Sequence, residues 1–119
     1  LVVELHFTNF QGGLLHSAFV IGYAACSPLF GALGDRGYNR PRLMAAGIFV
    51  WSLASALSGV CSSIVPFIAA RILVGVGEAG FGAIVPGYLK DREPDSARLS
   101  SVLAVFYCAI PVGSALGYV

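Results

Sequence analysis

The stretch Arg71-Ile72-Leu73-Val74-Gly75-Val76-Gly77-Glu78-Ala79-Gly80 admits two readings that lead to different folds. Gly75, Gly77 and Gly80 satisfy G-x-G-x-x-G, the four residues before them could pass for a strand, and Asp95 stands twenty residues after Gly75. That is the outline of a dinucleotide-binding unit, in which a tight turn opens a helix over pyrophosphate and an acid at the end of the next strand holds the ribose. The surroundings do not fit it. Pro86 interrupts the helix that the turn would have to open, and Glu93-Pro94-Asp95 is not the end of an apolar strand. The other reading is a helix inside an apolar medium, with Arg71 and Glu78 as charges within it.

The flanking sequence favours the second reading. No Asp, Glu, Lys or Arg lies between Glu4 and Asp35, from 43 to 70, or from 99 to 119. A helix needs about 20 mostly apolar residues to cross the hydrocarbon core of a bilayer, and each of these runs is long enough for one crossing. Only 11% of the 119 residues are charged and 57% are hydrophobic, with a mean hydropathy of +0.83. Soluble domains carry about 25% charged residues, so the chain falls in the membrane class. A net charge of +1 gives no basic surface for nucleic acid. Helices are expected at 13–33, 43–61, 65–89 and 97–119, all of them membrane spans, in an all-α protein. With no initiator methionine at Leu1 and an uncharged run continuing to Val119, the sequence is expected to be a piece of a longer protein.

The loops predict orientation. Asp35-Arg36-Gly37-Tyr38-Asn39-Arg40-Pro41-Arg42 joins the first pair of helices, and the segment from Lys90 to Arg98 joins the last pair. Together they hold six of the seven basic residues, whereas Ser62-Ser63-Ile64 between the hairpins is neutral. Two hairpins bring both charged loops to one side, which the positive-inside rule makes cytoplasmic.

Arg71 and Glu78 are seven residues apart and share a helix face at 3.6 residues per turn, with Gly75 and Gly82 on the same stripe. A charged group at a helix centre costs about 2.5–3.5 kcal/mol on the insertion scale. Two on one face must meet each other, a partner or water. They either neutralise one another or pin adjacent helices, or else they line a translocation path on which Glu78 takes up a proton. A carboxyl group alternating between a dry setting and one beside a cation changes its hold on the proton, which makes a workable switch.

Other polar and aromatic positions receive simpler readings. His16 is expected at a helix interface, and Trp51, Phe81 and Tyr107 in packing. Cys26, Cys61 and Cys108 lie in three separate apolar segments without metal-like spacing, and are read as small apolar helix residues. No metal-ligand cluster and no nucleophile, base and oxyanion arrangement is recognisable, so neither a cofactor nor catalysis is expected. Pro28, Pro86 and Pro111 fall inside the expected helices, a pattern that membrane helices tolerate, and small residues let such helices approach closely.

Gly31-Ala32-Leu33-Gly34-Asp35-Arg36, followed by Arg40 and Arg42, resembles the loop between the second and third transmembrane helices of the major facilitator superfamily. Arg71-Ile72-Leu73-Val74-Gly75-Val76-Gly77-Glu78-Ala79 resembles that superfamily's fourth helix, in the form found in the spinster family. So does the stretch from Val105 to Tyr118, with Pro111, Gly113 and Gly117, at the start of the fifth. Gly12-Gly13-Leu14-Leu15 and Ser27-Pro28-Leu29-Phe30-Gly31 fit as well, so the resemblance covers nearly the whole chain. It departs from the family at the first loop, where Gly37 adds a residue and Pro41 replaces a lysine.

The resemblance implies a partial major-facilitator fold, with helices two to five of an expected twelve, all from the N-terminal six-helix half. It implies a carrier, proton-coupled or facilitative, of lysophospholipid or sphingoid-phosphate-like amphipathic lipids by alternating access. An exporter or importer of drugs or polar metabolites is the alternative. Arg71 and Glu78 would lie on the substrate and proton pathway, Arg71 suiting a phosphate head. Gly31, Asp35, Arg36 and Arg40 would form a cytoplasmic gate loop, and Gly75, Gly82, Pro111, Gly113 and Gly117 would serve packing or hinge motion. The expected partners are the bilayer, the lipid or small-molecule substrate and a proton, with no nucleic acid and a monomeric full-length protein.

Overall fold

A computed structural model of the protein describes residues 8–117. Among these residues there are five helices and no strand: α1 (Asn9–Asp35), α2 (Arg40–Val60), α3 (Ile64–Gly82), α4 (Val85–Arg92) and α5 (Ser96–Gly117). Four stretches are long and apolar enough to cross a membrane: Asn9–Asp35, Arg40–Val60, Ile64–Arg92 and Ser96–Gly117. The expected all-α membrane fold is therefore the observed one. The last two residues of the helix expected over 97–119 lie outside the described residues.

Local chemistry sets the ends of these helices. Thr8 begins α1 with a capping box, its Oγ1 accepting from the Gln11 N–H at 3.3 Å while the Gln11 side chain accepts from the Thr8 N–H at 3.0 Å. Asn39 caps α2 by accepting from the Arg42 N–H at 3.3 Å. Pro41, Pro66 and Pro86 all occupy first turns of helices, where a missing N–H costs nothing. The residue added to the first loop, Gly37, has φ +85°, a left-handed conformation that only glycine adopts freely.

The third helix differs from its expected course over 65–89. It stops at Gly82, and Ala83 and Ile84 form a turn in which the Ile84 N–H donates to Phe81 O at 3.2 Å. Pro86 is the reason: it has no N–H to offer the Gly82 carbonyl, and its ring crowds that carbonyl.

The chain divides into two compact units after Ile84. In the first, α3 packs against both α1 and α2, while those two scarcely touch each other. Its buried residues are nearly all small: Ala18, Gly22, Gly34, Gly47, Ala54, Ala70, Gly75, Gly77, Ala79 and Gly80, beside Leu15, Val74 and Ile84. Apolar surface gains little by leaving lipid for protein, so association rests on close contact between backbones. Gly75 and Gly77 supply that contact on opposite faces of α3. A Cβ on Gly75 would run into the Phe19 carbonyl of α1, and one on Gly77 would lie 2.6 Å from the Trp51 nitrogen of α2. The G-x-G that imitated a nucleotide-binding turn is a stretch of helix clasped from both sides. Large apolar side chains such as Ile21, Phe49, Val60 and Val65 point outward.

The second unit holds α4 and α5. Asp95 begins α5, its side chain accepting from the Ala97 N–H at 3.1 Å, and Arg98 lies 3.7 Å from Glu93 across the turn. Arg92 stacks over Tyr88 at 5.1 Å. No residue of α5 is buried.

Candidate functional site

Two ionisable side chains of α3, Arg71 and Glu78, reach a cleft of about 380 Å³ between α1 and α3. Its remaining lining is Val74 from α3 and Leu15, His16 and Phe19 from α1. The stripe expected from helical periodicity thus faces α1. Gly75 lies between the two charges and brings the α3 backbone onto α1 at Phe19 and Tyr23. Gly82, one turn beyond Glu78, is set against Tyr23, whose hydroxyl would stand 3.0 Å from a Cβ there.

Arg71 and Glu78 do not neutralise one another. Among the described residues no ion pair joins them, whereas Arg40 pairs with Asp35 and Arg98 with Glu93. The Arg71 guanidinium instead lies 5.1 Å from the centroid of the Phe67 ring, one turn back along α3. Helical side chains lean toward the helix N-terminus, and a cation is attracted to the face of an aromatic ring. Both charged residues are only half-buried. On α1, His16, Phe19 and Tyr23 form an aromatic row with ring centroids 6.5 and 6.3 Å apart. The cleft therefore sets one cation, one carboxyl group and one imidazole against apolar and aromatic walls. Such a lining suits a molecule with a polar head and an apolar body.

Leu15, His16, Phe19 and Val74 are the members not expected from the sequence. Seven residues separate Arg71 from Glu78 on one helix, a spacing visible in the sequence, whereas His16 joins them only through the packing of α1 on α3.

The expected gate-loop residues form a separate group, about 28 Å along α1 from His16 at 1.5 Å per residue. Asp35 ends α1 and Arg36 is its C-cap, while Arg40 opens α2. Arg40 Nε donates to the Gly34 carbonyl at 3.1 Å, and its Nη2 lies 3.9 Å from Asp35 Oδ1. Gly31 has open space beside it. Pro111, Gly113 and Gly117 belong to α5, where both glycines face open space. Among the described residues no group of three His, Cys, Asp or Glu is placed to hold a metal ion.

Fold and site together define an α-helical membrane protein with a partly charged cleft between two of its spans. The sequence matches the Major Facilitator Superfamily over residues 1–119, and the chain belongs to that family of membrane transporters. It is 48% identical over 93% of its length to protein spinster of Drosophila melanogaster. It is 43% identical over 92% of its length to protein spinster homolog 1 of Homo sapiens. To the probable sphingolipid transporter spinster homolog 1 of Arabidopsis thaliana it is 40% identical over 98% of its length. The chain spans about a fifth of the length of these relatives: 18%, 21% and 23% of each. No solved structure matches it.

Proposed function

We propose that the full-length protein carries an amphipathic lipid with a phosphate-bearing head, of the lysophospholipid or sphingoid-phosphate kind, across the membrane by alternating access. The observation that carries this reading is the cleft between α1 and α3, where Arg71 and Glu78 stand beside Leu15, Phe19 and Val74. A guanidinium offers a planar array of donors to a phosphate, and the apolar walls accept an acyl chain. Similarity to an Arabidopsis protein named a probable sphingolipid transporter supports the same class of substrate.

Glu78 is the group proposed to take up and release a proton during the cycle. The charged and titratable groups that line the cleft with it are Arg71 on its own helix and His16 on α1. The Asp35–Arg36–Arg40 loop would act as a cytoplasmic gate, closed in one state by contacts such as the Arg40 bond to Gly34. Basic residues gathered in the two charged loops and absent from Ser62-Ser63 support a cytoplasmic side for those loops.

The test is lysophospholipid transport by the full-length protein in vesicles, with and without a pH gradient, for wild type and Glu78→Gln. Gradient-dependent movement that collapses in Glu78→Gln is the expected result. Movement indifferent to both would leave a facilitative carrier and remove Glu78 from the pathway. A folded protein that moves no lysolipid would overturn the reading in favour of polar solutes.

A further inference from the structure

The contacts between α1 and α3 define a register. A Cβ on Gly22 would meet the Ile72 carbonyl at 2.5 Å, one on Gly80 would meet the Phe30 ring at 3.3 Å, and one on Gly34 would meet the Ile84 side chain at 3.6 Å. Residue numbers rise together along the two segments, with Gly75 set against Phe19 and Tyr23 between the first two of these contacts, so α1 and α3 run parallel. His16 lines the cleft from α1, and the N-terminal part of α3 carries Phe67. Arg71 starts one turn further on, but its side chain runs back and sets the guanidinium over the Phe67 ring. His16 and Arg71 thus line one cleft from two different helices, with the Arg71 guanidinium drawn back toward the N-terminal end of α3.

Among the described residues neither side chain is consumed by other polar contacts. Ser17, Ser58, Ser100 and Ser101 each bond a carbonyl three or four residues back on their own helix. His16, among the described residues, contacts the Phe19 ring and makes no hydrogen bond or ion pair. Two nitrogen donors facing one space attract an anion and leave its remaining oxygens free for water.

We propose that His16 and Arg71 form a two-helix clamp for the phosphate of the substrate head, which makes His16 a specificity-determining residue. The proposal rests on the carrier reading for its ligand and adds a residue from α1 to it. The head is held by both helices at once, so it senses any shift of α1 against α3. The acyl chain lies along Leu15, Phe19 and Val74.

The test uses the full-length protein in detergent, with binding followed by the melting-temperature shift. The probes are a phosphate-headed lysophospholipid and a monoacylglycerol of the same chain length, compared for wild type, His16→Ala and His16→Gln. Vesicle transport of the lysophospholipid is measured in parallel. A hydrogen bond to a charged group accounts for about tenfold in affinity. The expected result is about a tenfold weaker grip on the phosphate-headed lipid in His16→Ala, partial recovery in His16→Gln, which keeps a donor, and unchanged monoacylglycerol binding. Equal weakening for both lipids, or none, would overturn the clamp and leave the carrier reading standing. Lysolipid binding that depends on His16 without any transport would uphold the clamp and overturn the carrier reading. Absence of lysolipid binding by the wild type would overturn the clamp.

Discussion

Gly47 and Gly77 exclude each other's side chains reciprocally: a Cβ built on either residue would stand 2.7 Å from the carbonyl oxygen of the other. The obstacle on each side is backbone, which cannot swing aside as the tip of a side chain can. This crossing fixes how closely α2 approaches α3, just as Gly75 fixes the approach of α1 on the opposite face.

Gly77→Ala in the full-length protein is therefore expected to cost about 1–3 kcal/mol, the usual range for overpacking a close contact. Thermal unfolding in detergent measures it, with Gly59→Ala as the control. Gly59 has nothing within 4 Å of its would-be Cβ, and alanine is the better helix former, so that variant should melt at the wild-type temperature or slightly above it. Equal melting of the two variants would mean that the α2–α3 crossing yields easily.

Arg40 should matter more to stability than Asp35. The Asp35 side chain is 85% exposed and 3.9 Å from its partner, and solvent-exposed pairs of this kind contribute a few tenths of a kcal/mol. Arg40 is largely covered and holds the Gly34 carbonyl. Arg40→Ala is expected to lower the melting temperature clearly and Asp35→Asn hardly at all. The reverse order would place the weight of this loop on the ion pair.

Gly37→Ala is expected to cost about 1 kcal/mol, because a residue with a Cβ is forced to φ +85°. Gly37→Asn should cost less, since asparagine visits the left-handed region more readily. If both variants melted like the wild type, the loop would have an alternative conformation of similar energy.

Phe67→Leu preserves an apolar side chain but removes the ring beneath Arg71. A cation–π contact worth about 0.5–1 kcal/mol should appear as a two- to fivefold rise in the half-saturation concentration for lysophospholipid, with the maximal rate preserved. A fall in maximal rate alone would show that the ring serves helix packing rather than the position of the guanidinium.

Much of this architecture was legible in the residues because it is local. A run of about twenty uncharged residues specifies a span wherever its neighbours lie, and the seven-residue spacing of Arg71 and Glu78 puts them on one face in any α-helix. The break after α3 has an equally local cause. Pro86, expected inside one long helix, instead lies in the first turn of a new one after a turn at Ala83 and Ile84. His16 was read as an interface residue because nothing within one helix tells which neighbour it will face.

Residue order alone specified the helical membrane class, the four membrane-length stretches among the described residues and the stripe carrying Arg71 and Glu78. Hydropathy and the helical repeat act over a few turns of a single chain segment. Tertiary structure alone decided that the stripe faces α1, that Gly75 and Gly77 serve different partners, and that His16 joins the charged cleft. Those choices depend on the register between segments some thirty to fifty residues apart. Backbone contact at glycines sets that register, and no periodicity within either helix encodes it.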